Sequence, residues 1–263
     1  MVMAKPTGRR VLITGASSGI GAATVRAMMA EGWSVIAVAR REDLLDALAV
    51  ETGCDVLVAD ITQQADLVAM ATFVHETGGI SALVNNAGAA LGSDAVAEAS
   101  SEDWMGMLEL NVVGTQQVIK ALISELRAGS LLEGVADIIT ISSTAGFISY
   151  EGGGGYNAAK AGVHAMLGAL RLELAGEPIR VVEIAPGMVK TDEFALKRFG
   201  GDEKRTESLY DGVENPLVAE DVAEVVRYAL CSANHVNLDL IQMKPVAQAM
   251  QYKLHRGPLK PKI

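Results

Sequence analysis

The stretch Val11-Leu12-Ile13-Thr14-Gly15-Ala16-Ser17-Ser18-Gly19-Ile20-Gly21 decides the fold. Its apolar start reads as a short buried strand, and Ile20 to Glu31, rich in Ala and Met at helical spacing, reads as a helix. The glycines between them let the chain turn sharply and approach a ligand closely. The helix N-terminus then offers free N–H groups and a partial positive charge to a pyrophosphate. The spacing is GxxxGxG, not the GxGxxG of the common dinucleotide fingerprint, and an ordinary glycine-rich turn would read much the same.

Outward from this turn the pattern alternates. Ser34–Ala39, Val56–Val58, Ala82–Val84, Ile138–Ser142, Arg180–Ile184 and, as the last strand, Leu238–Met243 read as buried strands. Between them, Asp43–Glu51, Asp66–Glu76, one long stretch over 101–127, Tyr156–Ala175 and Glu220–Ala229 read as helices. Alternation of this kind predicts right-handed βαβ units and the α/β class: a doubly wound parallel sheet with helices on both faces. No linker or internal repeat divides residues 1–263, so one domain is expected, with a loose tail over 256–263. Ligands of such sheets sit beyond the carboxyl ends of the strands.

Composition narrows the classes. Half of the 263 residues are hydrophobic, enough for a core, while aromatics are only 4%, so Ala, Val, Leu, Ile and Met must build it. A formal net charge of -10 repels phosphate backbones and argues against nucleic-acid binding. Cys54 and Cys231 are the only cysteines; they form no CxxC pair, which argues against zinc and for a reducing, cytoplasmic setting. Met1 to Arg10 lacks an apolar run, and no apolar stretch spans a membrane, so neither a signal peptide nor a membrane partner is expected.

The second strand runs into Arg40-Arg41, where an acidic residue would take the ribose 2′-hydroxyl of NAD and an arginine suits the 2′-phosphate of NADP. Asp60, after the third strand, reads equally as an acceptor for an adenine amino group and as a turn cap through Thr62. Tyr156 and Lys160 stand four apart on one helix face, with Ser143 just beyond a strand and Asn111 upstream. An ammonium and an oxidised nicotinamide beside the phenol favour the phenolate. Ser143 suits donation to a substrate oxygen, and Asn111 suits holding a water that relays protons to Lys160. Together they suit general acid–base chemistry beside a hydride carrier.

These residues, in this order, resemble the short-chain dehydrogenase/reductase family across nearly the whole chain. The motifs are TGASSGIG (14–21), NNAG (85–88), Asn111 in NVVGT, Ser143 in SSTAG, YNAAK (156–160) and Pro186-Gly187, with Ser143 lying 13 residues before Tyr156. The resemblance implies a Rossmann-like single domain, a nicotinamide cofactor and Tyr156 as acid/base. It implies Ser143 as substrate orienter, Lys160 as ribose ligand and pKa modulator, and Asn111 as proton relay. The implied cofactor contacts are Gly15, Ser17, Ser18, Gly19, Ile20, Gly21, Arg40, Arg41, Asp60, Ile61, Asn86, Ala87, Gly88, Asn111, Tyr156, Lys160, Pro186, Gly187, Val189 and Thr191, with no metal. Asp60 and Asn86 fall to the adenosine, Thr191 to the carboxamide side of the nicotinamide, and Arg40 and Arg41 match the NADP-preferring branch. The family is usually tetrameric through the helices near 104–127 and 156–175, so a homo-oligomer is expected.

A narrower resemblance lies in the C-terminal half. EIAPGMVKTDEF, KRFGGDEKR and HVNLDLIQMKPVAQ are similar to the NADP-dependent 3-hydroxy acid (serine or allo-threonine) dehydrogenases. The group implies a 3-hydroxy acid or a related small aldehyde or ketone as substrate; clavulanate-type aldehyde reductases share much of the pattern. A non-catalytic NADP sensor on the same fold is the reading from another class. Residues 188–212 read as a substrate lid, whose Lys190, Lys197, Arg198, Lys204 and Arg205 are candidates for a substrate carboxylate and equally form a solvated charged loop. Gly152 to Gly155 reads either as a substrate floor bare of side chains or as a turn, and His164 as a helix-interface residue.

Overall fold

A computed structural model describes residues 8–261. Seven parallel strands form the central sheet: β1 (Arg10–Thr14), β2 (Ser34–Ala39), β3 (Asp55–Val58), β4 (Ala82–Asn85), β5 (Ala136–Ile141), β6 (Ile179–Pro186) and, later in the chain, β9 (Leu240–Met243). Two short strands, β7 (Val189–Lys190) and β8 (Leu217–Val218), pair with each other outside it. The spatial order is β3-β2-β1-β4-β5-β6-β9, so the direction of winding reverses between β1 and β4. Ligand crevices form at such a reversal.

Side chains alternate across the sheet, and each face is covered. Val11, Ile13, Val35 and Ala37 pack on one side against α1 (Gly19–Glu31), α2 (Glu42–Thr52) and α9 (Ala219–Leu230). Leu12, Ile36, Leu83 and Ile138 pack on the other against α3 (Gln64–Glu76), α5 (Thr115–Glu133) and α6 (Gly154–Glu173). Each buried Leu or Ile in these layers is worth about 1.5–3 kcal/mol over its exposed state. At the sheet end opposite the crevice, Asp137 on β5 is fully buried between Arg9 and Arg180, 2.6 Å from each.

Four expectations from the pattern are corrected. The strand at Val56–Val58 is not buried: β3 is an edge strand, paired among the described residues only with β2, and Val58 is half-exposed. The stretch 101–127 is not one helix. It is α4 (Ser101–Leu108), a π-helical turn (Glu109–Gly114) and α5, with Asn111 in the wide turn. Strands continue past Met243 as a hairpin of β10 (Gln248–Met250) and β11 (Lys253–Leu254). The segment from Arg256 is tied down: Arg256 donates to the Asp211 and Leu209 carbonyls, and the Gly257 N–H to the Gly212 carbonyl. Residues 262 and 263 of the expected tail, and residues 1–7, lie outside the described residues. The expected lid contains α7 (Phe194–Arg198) and α8 (Glu203–Tyr210). Among the described residues, no helix is long and apolar enough to cross a membrane.

Candidate active site

A cavity of about 650 Å³ opens over the carboxyl ends of β1, β2, β4, β5 and β6 and under the lid. One end is the glycine turn. Gly15 has φ +66°, and a Cβ there would lie 2.8 Å from Ala87 Cα; one on Gly21 would lie 2.2 Å from the Gly15 carbonyl oxygen. No side chain fits either place, so the turn packs tightly against Asn86 and Ala87; Gly15 lines the cavity and Gly21 lies behind it. Asn86 braces it by donating to the Thr14 and Gly15 carbonyls, at 3.0 and 3.1 Å. The Thr14 hydroxyl accepts from the Asn86 and Ala87 N–H groups. Ala87 and Gly88 continue this wall; Ile61 packs against Gly114 and also faces the cavity.

The Arg41 guanidinium donates to the Ser17 hydroxyl at 2.8 Å and to the Ser18 hydroxyl at 2.9 Å, beside the free N-terminus of α1. This cradle holds an anion already. The Glu193 carboxylate, from the lid, accepts from Arg41 at 2.6 Å, from Ser18 at 3.2 Å and from Lys197 at 3.0 Å. The Arg41 hydrogen bond draws the Glu193 pKa down to about 2. The Glu193 carboxylate thus stands where Arg41 and the Ser18 hydroxyl converge, while Ser17 holds the guanidinium from the other side. Arg40 stands apart: two-thirds exposed, it reaches Asp60 only at 3.5 Å. Asp60 caps the turn, accepting from the Thr62 N–H at 3.0 Å and the Thr62 hydroxyl at 2.8 Å, while its other oxygen faces Arg40. Asp60 also lines the cavity.

At the other end four distant residues meet. Strand β5 delivers Ser143, whose hydroxyl accepts from the Ala145 N–H at 3.1 Å. Helix α6 places Tyr156 and Lys160 one turn apart at its start, both buried, with the Lys160 ammonium 5.7 Å from the phenol ring centre. Lys160 donates to the Ile141 carbonyl at 3.2 Å. The π-helical turn carries Asn111, whose Nδ2 donates to the Ala89 and Met107 carbonyls; its Oδ1 is buried without a protein partner. π-turns of this kind often mark functional sites. Gly88 separates the two groups: a Cβ there would lie 2.6 Å from Asn111 Oδ1 and 3.5 Å from Lys160 Nζ. The missing side chain leaves both atoms facing one spot.

Burial pushes the Tyr156 phenol above its ordinary range, and the neighbouring Tyr150 adds to this; Ser143 and Arg198 pull the other way. Burial lowers Lys160 to about 8, against the attraction of Glu183. The phenol is therefore not acidic in the protein alone, because desolvation exceeds the stabilisation its neighbours provide.

The remaining candidates lie on the rim. Gly19 and Ile20 line the cavity, and Thr191 sits across from Gly19. Pro186 takes the Ser143 and Thr144 hydroxyls on its carbonyl, and Gly187 follows it. Val189 anchors the lid by accepting from the Tyr210 hydroxyl at 3.1 Å. His164 bonds Glu183 at 2.8 Å, outside the set. The glycine run is not a bare floor. Cβ atoms on Gly152, Gly153, Gly154 and Gly155 would lie 2.4–2.8 Å from Ser93, Tyr150, Val96 and Met107, so the run is packed tight and lies outside the cavity. Two residues were missed. Gln251 donates to the Thr144 hydroxyl at 2.6 Å and Gln248 accepts from the Met188 N–H at 2.8 Å, so the hairpin after β9 closes the cavity. Gln248 ends the segment HVNLDLIQMKPVAQ, which carried no role for it, and Gln251 lies beyond it.

A family model described as short chain dehydrogenase matches residues 9–198. The chain belongs to the short-chain dehydrogenase family. Among family relatives, an uncharacterized oxidoreductase of Mycobacterium tuberculosis is 44% identical over 255 residues, covering 97% of this chain and 98% of the relative. The NADP-dependent 3-hydroxy acid dehydrogenase YdfG of Shigella flexneri is 37% identical over 242 residues, covering 91% and 96%. Among solved short-chain dehydrogenases, the closed form of serine dehydrogenase complexed with NADP+ superposes with a TM-score of 0.86 at 36% identity, covering 94% of this chain and 99% of that one. The chain is therefore an oxidoreductase of this type.

Proposed function

We propose that this chain interconverts an alcohol and its carbonyl with NADP(H), and that the substrate is a 3-hydroxy acid or a related small aldehyde or ketone. The observation that carries the reading is one cavity with an arginine–serine anion cradle at one end and Ser143, Tyr156 and Lys160 at the other, with Asn111 buried just behind, across Gly88 from Lys160. Relatives named for NADP and for 3-hydroxy acids or serine support the cofactor and the substrate class.

Gly15 to Gly21 would meet the pyrophosphate, and Ser17 with Arg41 the 2′-phosphate. When bound, the nicotinamide supplies the acceptor for the hydride leaving the carbinol carbon. Ser143 donates to the reacting oxygen and holds it against Tyr156. Tyr156 takes the hydroxyl proton as the hydride leaves, and returns it in the reverse direction. Lys160 would hold the ribose hydroxyls, and its positive charge would draw the phenol toward phenolate. Asn111 Oδ1 orients a water that passes the proton outward. A homo-oligomer belongs to the same reading, for Met105, Val113 and Leu172 stand exposed along the α4–α6 region.

Three outcomes test the cradle. Arg41→Ala is expected to weaken NADP+ about 10–100-fold, the worth of a charged, bidentate hydrogen bond, and to change NAD+ little. Arg40→Ala is expected to do much less, because Arg40 stands outside the cradle. Glu193 is the anion that the phosphate must replace, so Glu193→Gln is expected to tighten NADP+ several-fold. Calorimetric titration with both cofactors reads all three. The reaction class is tested by following nicotinamide absorbance over a panel of 3-hydroxy acids, alcohols and aldehydes with each cofactor.

A further inference from the structure

One lid cation faces the reacting end of the cavity. Arg198, at the end of α7, donates from Nη1 to the Tyr150 hydroxyl at 2.9 Å and from Nη2 to the Gly152 carbonyl at 3.0 Å. Its third contact, Nε to the Gly92 carbonyl, is long at 3.4 Å. Every acceptor is neutral. Among the described residues no Asp or Glu stands within ion-pair distance of Arg198, although the chain carries 32 acidic residues. What sets Arg198 apart is its place: it lines the cavity, as Lys190, Lys204 and Arg205 do not, and Lys197, which also lines it, has an acidic partner. Lys197 pairs with Glu193 at 3.0 Å, Lys190 lies over the Tyr210 ring at 5.8 Å, and Arg205 lies over the Phe199 ring at 4.6 Å.

Arg198 is half-buried, and it lines the same cavity as Tyr156 and Tyr150. Its charge favours the Tyr156 phenolate, so it acts electrostatically on that phenol. A guanidinium without a counter-ion, held on a cavity wall by neutral groups, is a receptor for an anion that arrives with the substrate. Tyr150 extends it: the hydroxyl accepts from Arg198 and keeps its own hydrogen for a second oxygen. Phe194, four residues earlier on α7, stands edge-on to Tyr156 with ring centres 5.7 Å apart. The same short helix thus covers the phenol and carries the cation.

We propose that Arg198, assisted by Tyr150, binds the carboxylate of the substrate and selects hydroxy acids over uncharged alcohols. The inference rests on the alcohol–carbonyl reading of the site and names the group that sets its substrate class. A carboxylate held there fixes the distance between the anion and the carbon presented to Tyr156. It also leaves the lid closed only over substrates that carry the charge.

The test compares 3-hydroxybutanoate with its methyl ester, using both enantiomers and the full-length protein with NADP+. The wild type is expected to favour the acid. Arg198→Gln is expected to lower kcat/KM for the acid about 100-fold, chiefly through KM, and to leave the ester nearly unchanged. Arg198→Lys is expected to restore part of the loss, because the charge returns without the planar fork. A merely structural role moves acid and ester together, so an unchanged acid-to-ester ratio in Arg198→Gln overturns the proposal. Malonate, titrated calorimetrically into the NADP+-loaded protein, reads anion binding without turnover. Malonate binding that disappears in Arg198→Gln, in a protein that turns over neither compound, overturns the reaction reading and upholds the receptor. Malonate binding that survives Arg198→Gln overturns the receptor, whatever the turnover.

Discussion

Tyr156→Phe is expected to lower kcat about 10²–10⁴-fold, the range supplied by a positioned acid–base group. Binding of NADP+ should be almost unaffected, because the ring and its packing against Phe194 remain. The loss should fall on kcat and kcat/KM together, since the phenolic oxygen matters most where the proton moves. Direction in pH follows from the proton balance. Oxidation needs the phenolate, so its kcat/KM rises with pH; reduction needs the phenol, so its rate falls as pH rises. Burial places the free-protein phenol above its ordinary range and Lys160 at about 8. A rise in oxidation below pH 10 therefore reports the charge that the bound cofactor and the protonated Lys160 bring to the phenol. Steady-state kinetics of the wild type and Tyr156→Phe against pH read these outcomes. Retention of full activity in Tyr156→Phe contradicts the assignment.

The second large effect lies at the other end of the sheet. Asp137→Ala is expected to destabilise the protein by about 3–5 kcal/mol, because it strands two guanidiniums that the carboxylate now neutralises. Arg180 is the decisive one: it is almost fully buried, and its remaining acceptors are Ser232 and backbone carbonyls. For a chain of this size the melting temperature should fall on the order of 10 °C. Below that temperature NADP+ binding and the Tyr156 chemistry should persist, because the ion cluster sits away from the crevice. An unchanged melting temperature contradicts the account of this cluster.

What could be read from the sequence was what local pattern controls. The turn at Gly15 to Gly21 is a strand, a bend and a helix start in one contiguous run, so its reading needed no tertiary information. Tyr156 and Lys160 share a face because four residues make about one helical turn. Asn111 was legible as a motif residue, but not its place in a π-helical turn, since apolar periodicity does not distinguish a widened turn from a regular one. Val56–Val58 looked buried because its composition is apolar, whereas its exposure is set by sheet order. The glycine run was ambiguous for the same reason: only the approach of Ser93, Val96 and Met107 shows what each missing side chain allows. Gln248 was legible only as the end of HVNLDLIQMKPVAQ and Gln251 not at all, because a hairpin late in the chain brings them to Met188 and Thr144. The Arg41–Glu193 pair spans 152 positions and depends on how the lid folds back.

The most direct test is transfer of label from a substrate deuterated at its carbinol carbon. The wild-type protein, loaded with NADP+ and given such a 3-hydroxy acid, should move the deuterium onto the nicotinamide ring as the reduced-cofactor absorbance appears. Tyr156→Phe should bind NADP+ equally and transfer label far more slowly. A wild-type protein that binds NADP+ but leaves the deuterium on every alcohol and hydroxy acid in the panel contradicts the account.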